Sequence, residues 1–345
     1  METMQIDSVQ WYADPDSARN NEPGIQHSYM ACLATALNHI TGGLDPVWLM
    51  GSSSFAFRIV VNETLCPSAM SIFDWTAVLP EAIKNAGHQC TYVSRLWHES
   101  DKMAERQQEA HDAILAGLRD GHPAVVWDVH DVEWGLIVGY DERREEYLAL
   151  SFEGKDVTLP RDRLGQNGID ILSVAIPHLA NNRSRDDMIA NSLRAAVRHA
   201  EGQEWMDRPK YQDGLAAFDL WSLIYERGAM LAEAGKGENI SSDVLDHARY
   251  YAAHYYGARC YARDYLRMIA DGDTHLTQAA ECYGRIAEAL RIVWDSASAM
   301  QHLKDATLLR AMSKRIKAAG AAETEGIEAL NTYLVARDKG AGVDS

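Results

Sequence analysis

The chain is poor in the residues that mark metal, redox or membrane proteins. Its 345 residues include five cysteines, Cys32, Cys66, Cys90, Cys260 and Cys282, with no CxxC among them. An odd, scattered set of thiols excludes a disulfide framework and points to reduced thiols in a cytoplasmic setting. There is no HExxH, and His247 and His254 stand seven apart with no cysteine pair beside them, so no metal site is expected. No apolar run approaches the roughly 20 residues of a membrane span, so no membrane partner is expected. The first twenty residues, METMQIDSVQWYADPDSARN, carry acidic side chains and no continuous apolar core, which excludes a secretory leader there. Basic residues are outnumbered, 33 against 50, for a formal net charge of -17. A surface that neutralises phosphates should be basic, so nucleic acid is excluded as a partner. GSSSFAFR has glycine and hydroxyls but no GxxxxGK[ST] pattern, and it is not read as a phosphate cradle.

The residues that are present follow two grammars. Up to about residue 180, helical and strand patterns mix. Ala31–Ile40 reads as a helix stopped by Thr41-Gly42-Gly43. DWTAVLPEAIKNAGHQC reads as a short helix ending near Gly87, and KMAERQQEAHDAILAGLRDG as an amphipathic one. The period then changes. PAVVWDV, WGLIVGYD, EYLALSF and DILSVAIP are short apolar runs that read as strands, the first three joined by hairpin-length links. Helices followed by a strand meander predict an α+β fold with an antiparallel sheet, not an alternating βαβ one. After HLANNRSRDD the pattern is helical almost to the end, with breaks at Gly235-Lys236-Gly237 and Asp271-Gly272-Asp273. This predicts an all-α helical bundle. The expected domains are therefore residues 1–180 and 181–345. In the second, the tyrosines of RYYAAHYYGARCYARDYL suit helix packing, with hydroxyls reaching polar edges.

Candidate chemistry concentrates at GIQHSYMACLATALNHITGG. Cys32 stands at the front of an apolar helical run, six residues after Gln26. The positive end of a helix, about half an elementary charge, favours a thiolate, and a side-chain amide nearby can hold a developing oxyanion. Against this stands the plain alternative of a small, buried, structural thiol.

These pieces, in the order CLATALNHITG, WLMGSSSFAFRI, CPSA, GHPAVVWDV, EWGLIVGYD and LPRDRLG, resemble the papain-like cysteine enzymes. More narrowly, they resemble the bacterial bacteriocin-processing-peptidase-like group and the N-terminal domain of butirosin biosynthesis protein H. The resemblance covers roughly residues 20–178. It implies a papain-like domain with Cys32 as nucleophile and Gln26 as oxyanion donor, acting on an amide or thioester as a peptidase or acyltransferase. The implied partner is a small-molecule, acyl or peptide substrate, and no cofactor is implied. One position departs from the pattern. Where the resemblance calls for a histidine, six residues before Gly139, stands Glu133. A carboxylate of ordinary pKa about 4.3 is a poor acceptor for a thiol proton of ordinary pKa about 8.5, and its charge opposes the thiolate. His130 in the hairpin, or His27 beside Gln26, could serve instead. The alternative expectation is a catalytically inactive relative that keeps the cleft and binds a small molecule or peptide.

Overall fold

A computed structural model describes residues 3–12, 22–202, 204, 210–240, 242–300 and 305–341. The chain divides into two compact units. One takes the N-terminal strand, Ile25–Leu49 and Trp75–Arg185. The other takes Met50–Asp74 and the chain from Asp186 onward. The change of grammar near residue 180 thus coincides with a boundary. Residues 50–74, which by sequence run on within the first half, group with the helical unit.

In the first unit the elements are β1 (Thr3–Gln5), α1 (Ser28–Thr41), α2 (Pro46–Ser52, which runs across the boundary at residue 50), α3 (Trp75–Asn85), β3 (His88–Arg95), α4 (Met103–Arg119), β4 (Ala124–His130), β5 (Glu133–Asp141), β6 (Glu146–Leu150), β7 (Asp156–Pro160) and β8 (Leu172–Ala180). The sheet has the order β3-β8-β4-β5-β6-β7, with β1 added to β5, and every pairing is antiparallel. The α+β class and the β4–β5–β6 meander expected from the sequence are present. β3 and β7 were not expected. HQCTYVSR is only half-buried along most of its length, so it lacks the apolar run that marks its neighbours. β8 lies between β3 and β4, a placement that no local signal encodes.

Alternation sets the two faces of the sheet. Ile137, Ala149, Val174 and Ile176 join Ala110, Ile114 and Leu118 of α4 in one core. Each fully buried aliphatic side chain of this kind contributes about 1.5–3 kcal/mol. On β5, Trp134 alternates with Ile137's face and packs edge-on against Tyr29 of α1, ring centroids 4.9 Å apart.

The second unit holds β2 (Val60–Asn62) paired antiparallel with β9 (Tyr211–Asp213), and the helices α5 (Arg185–Glu201), α6 (Leu215–Glu233), α7 (Ser242–Ile269), α8 (Thr274–Met300) and α9 (Ala306–Ala341). The helices lie where the 3.6-residue period predicts them, except that α9 begins at Ala306, well before the helical spacing of EGIEALNTYLVAR. The tyrosine-rich helix α7 explains why residues 50–74 belong here. Tyr251, Tyr255 and Arg259 are spaced by four and share one stripe. The Tyr251 hydroxyl donates to the Cys66 carbonyl at 2.8 Å. The Tyr255 hydroxyl donates to Val60 O at 2.5 Å and accepts from Val60 N–H at 3.0 Å. Arg259 donates to the carbonyls of Ala56 and Arg58, both at 3.0 Å. A buried segment with little regular structure has many backbone groups to satisfy, and this stripe satisfies them.

Candidate functional site

The helix that carries Cys32 starts earlier than its apolar pattern suggests. His27 is the N-cap and its carbonyl accepts the Ala31 N–H at 2.9 Å, so helical structure begins at Ser28. Cys32 therefore lies one turn inside α1, beyond the first-turn N–H groups whose partial charge would favour a thiolate. Its side chain is wholly buried. Burial pushes the thiol pKa far up, and the nearby Glu133 charge pushes it further. The front-of-helix placement expected from the sequence is thus corrected: Ser28 holds that position and Cys32 does not.

Glu133 does reach this helix. It is the first residue of β5, and its carboxylate accepts a hydrogen bond from the Ser28 hydroxyl at 2.6 Å. Ser28 and Cys32 are four apart, so they lie on one face of α1. Half-burial raises the Glu133 pKa above the ordinary carboxylate value, while the Ser28 hydroxyl and the Trp134 backbone N–H pull it back. Ser28 escaped the sequence reading because a serine before an apolar run has an ordinary role in helix starts. Only its partner marks it.

The other expected residues stand apart from the thiol in character. His130 is exposed, and its Nδ1 lies 2.9 Å from Asp131 at the hairpin tip. His27 is buried at the N-cap position. Gln26 is partly buried, two residues before the helix. Among the charges acting on the Cys32 thiol, Glu133 raises its pKa.

The β4–β5 hairpin that presents Glu133 is strained. Asp128, Asp131 and Val132 have φ of 59°, 55° and 58°. A β-branched residue at positive φ is an outlier, and such conformations gather at ligand-binding and catalytic positions. Asp128 is buried, and its Oδ2 accepts the backbone N–H groups of Gly168 and Ile169 at 2.5 and 2.7 Å. This pins the loop before β8 to the hairpin. Trp75, Trp127 and Trp134 pack against one another beside it, with centroids 5.0 to 5.4 Å apart.

In the second unit, His199, Glu204 and Asp213 bring three potential ligand atoms within 4.8 Å of one another. Their existing partners weigh against a cation. Arg58 engages both oxygens of Glu204, and His199 Nδ1 lies 2.8 Å from Glu204 Oε2. His199 Nε2 lies 2.8 Å from the Ile59 nitrogen and 3.0 Å from the Ile59 carbonyl oxygen, so both ring nitrogens already have partners. A cation would have to displace His199 from Glu204 and compete with a guanidinium. The cluster reads instead as a structural network. His199 and Arg58 overcome the cost of burial and hold the Glu204 carboxyl at about 2, against 4.5 for a free one. A depressed carboxylate pKa stabilises the fold fully above about pH 4.5, and that stability is lost as the pH falls toward 2. The loss is on the order of 3 kcal/mol. Acid titration of stability should therefore show a limb between these values, and Glu204→Gln should flatten it. An identical limb in the variant would assign the acid sensitivity elsewhere.

No protein-family model matches the chain. A stretch of 139 residues, 39% of this chain, is 26% identical to part of the intermediate cleaving peptidase 55 of Saccharomyces cerevisiae. That stretch covers 23% of the yeast protein, so the likeness is partial on both sides. Among the described residues, no helix is long and apolar enough to cross a membrane.

Proposed function

We propose that the first unit is a papain-like, cysteine-enzyme-like domain that recognises an amide-, thioester- or peptide-bearing ligand at the Ser28–Glu133 end of α1, with Cys32 as packing and not as nucleophile. The observation that carries this reading is the state of Cys32. It is wholly buried, and both burial and the Glu133 carboxylate oppose its ionisation. A nucleophilic sulfur needs access and a lowered pKa, and this one has neither. The half-buried Glu133 carboxylate can instead accept hydrogen bonds from a ligand N–H or O–H, and the Ser28 hydroxyl beside it can donate or accept. The strained hairpin and the loop pinned by Asp128 keep that carboxylate in place.

Iodoacetamide labelling of the native protein at pH 8, mapped by peptide mass, tests the reading. The partly exposed Cys66 should react first. Cys90, also partly exposed but pushed up to about 12 by burial, should react slowly. Cys32 should stay unlabelled until denaturant is added. Glu133→Gln should leave it protected, because burial is the larger cause of its raised pKa. An N-acyl or peptide ligand should raise the melting temperature of the wild type and not of Glu133→Gln. Labelling of Cys32 ahead of Cys66 at neutral pH would sink the proposal.

A second reading has one observation in its favour: the Glu133 charge acts on the Cys32 thiol. In that reading Glu133 accepts the thiol proton during acyl transfer or peptide hydrolysis. It requires that Glu133→Gln and Cys32→Ala each abolish turnover of a thioester or amide substrate, and that Ser28→Ala leave the Cys32 dependence intact.

A further inference from the structure

Helix α6 is apolar on two faces, and only one of them is covered. Phe218, Trp221, Ile224 and Tyr225 are buried. On the opposite side Ala216, Leu223 and Met230 are exposed, Leu223 by 41% and Met230 by 57%. A surface helix normally turns polar residues outward. Helix α8 of the same unit does so, with Gln278, Glu281, Arg285 and Glu288 at exposed positions. We propose that the outer face of α6 is the contact surface for a second copy of the chain, with the two α6 helices crossing antiparallel about a two-fold axis at Leu223.

The charges on this face select the occupant. Helix α6 carries Asp219, Glu226, Arg227 and Glu233. Glu226 and Glu233 both pair with Arg310 of α9. Asp219 and Arg227 are exposed and form no ion pair among the described residues. They stand four residues before and four after Leu223, so all three share one face. Side chains meet on a helix at separations of three or four, and these two charges are eight apart, about 12 Å along the axis. They cannot pair with each other on one helix. A second α6 turned end for end about Leu223 sets the partner's Arg227 opposite Asp219, and symmetry repeats the pair on the other side. That is the self-complementarity an isologous interface requires. A parallel pairing would instead set like charges together.

Packing geometry suits the same arrangement. Asp219, Leu223 and Arg227 form one ridge of side chains four apart, and two such ridges interdigitate at a crossing angle of about -50°. Leu223 then packs on its own copy at the axis. Met230 and Ala216 stand seven residues to either side of Leu223, so each Met230 lies over the partner's Ala216, a long side chain over a short one. The rest of the surface works against unspecific association, since each copy carries a formal net charge of -17. A single helix face is smaller than the roughly 800 Å² that each partner contributes to a standard interface, so the dimer is a weak one, with a Kd on the order of 10–100 μM.

Sedimentation velocity of the full chain, over a range of about 5 to 500 μM that brackets this Kd, tests the proposal. The wild type should shift from the 38.4 kDa monomer toward the dimer as concentration rises. Asp219→Arg and Arg227→Asp should each weaken association at least about tenfold, because each sets like charges opposite one another. The double reversal, Asp219→Arg with Arg227→Asp, should bring it back to within about threefold of the wild type, since the pairs re-form with their signs exchanged. Leu223→Asp should remain monomeric throughout. Glu288→Lys, on the polar outer face of α8, should associate as the wild type does. If Leu223→Asp fails to fold, as judged by circular dichroism, the charge reversals at the two exposed positions decide the question alone. The proposal is overturned if the wild type stays monomeric up to about 500 μM, if either single reversal associates as the wild type does, or if the double reversal fails to restore what the single ones lose. Assembly beyond a dimer would also overturn it, because a two-fold contact closes on itself.

Discussion

Glu323→Ala is expected to destabilise the protein by about 3–5 kcal/mol, since it leaves a buried guanidinium without its counter-charge. Glu323 of α9 and Arg259 of α7 are almost wholly inaccessible, with side-chain exposures of 3% and 0%. Arg259 Nε donates to one carboxylate oxygen at 2.8 Å, and the Tyr283 hydroxyl donates to the other at 2.9 Å. The same guanidinium satisfies the Ala56 and Arg58 carbonyls. Removing the carboxylate therefore strands a charge and a phenol at once, and it loosens the attachment of residues 50–74. Glu323→Gln keeps one acceptor oxygen for Arg259 and turns the other position into a donor to which the Tyr283 hydroxyl can turn and accept, so it should cost less. The paired replacement Arg259→Met with Glu323→Leu removes the unpaired charge but leaves the Ala56 and Arg58 carbonyls and the Tyr283 hydroxyl without these partners, so it should recover only part of the loss. Urea unfolding followed by circular dichroism checks all three. A Glu323→Ala midpoint within experimental error of the wild type would show that the pair contributes nothing.

Gly214→Ala is the second change expected to have a large effect. Gly214 is the N-cap of α6, with φ of 59° and ψ of -141°, a conformation open in practice only to glycine. A Cβ there would stand 2.3 Å from the His199 carbonyl oxygen and 2.5 Å from that of Ala200. Both obstacles are backbone, so no side chain can turn aside. The strain of the conformation, about 1–3 kcal/mol, adds to a clash costing about as much again. The clash also displaces His199, and with it the bond to Glu204. Gly235→Ala provides the comparison. Its φ is also positive, at 67°, but nothing lies within 4 Å of the added atom. It should cost only the backbone term, about 1 kcal/mol. Thermal unfolding of the two variants should separate them clearly. Equal melting temperatures would mean that the backbone at the end of α5 yields, and that the close approach at Gly214 is not a constraint.

What the sequence determined by itself is what short-range periodicity and turn chemistry control. Alternating and apolar runs marked β4, β5, β6 and β8, hairpin-length links made the meander antiparallel, and the 3.6-residue period marked α5 to α9. The α+β class follows from that order alone. Glu133 was also legible as an anomaly, since its place is fixed by its distance from Gly139 along one strand. The tertiary structure decided the rest, because those facts depend on chain segments far apart in sequence. The insertion of β8 between β3 and β4 leaves no periodic trace. The grouping of residues 50–74 with the bundle depends on Tyr251, Tyr255 and Arg259 satisfying a backbone nearly two hundred residues earlier. The burial of Cys32 depends on where α1 begins and what covers its second turn. The bond from Ser28 to Glu133 spans 105 residues. Hydrogen bonds and desolvation act over a few ångströms in space, and no sequence pattern records which distant side chains will come within that range.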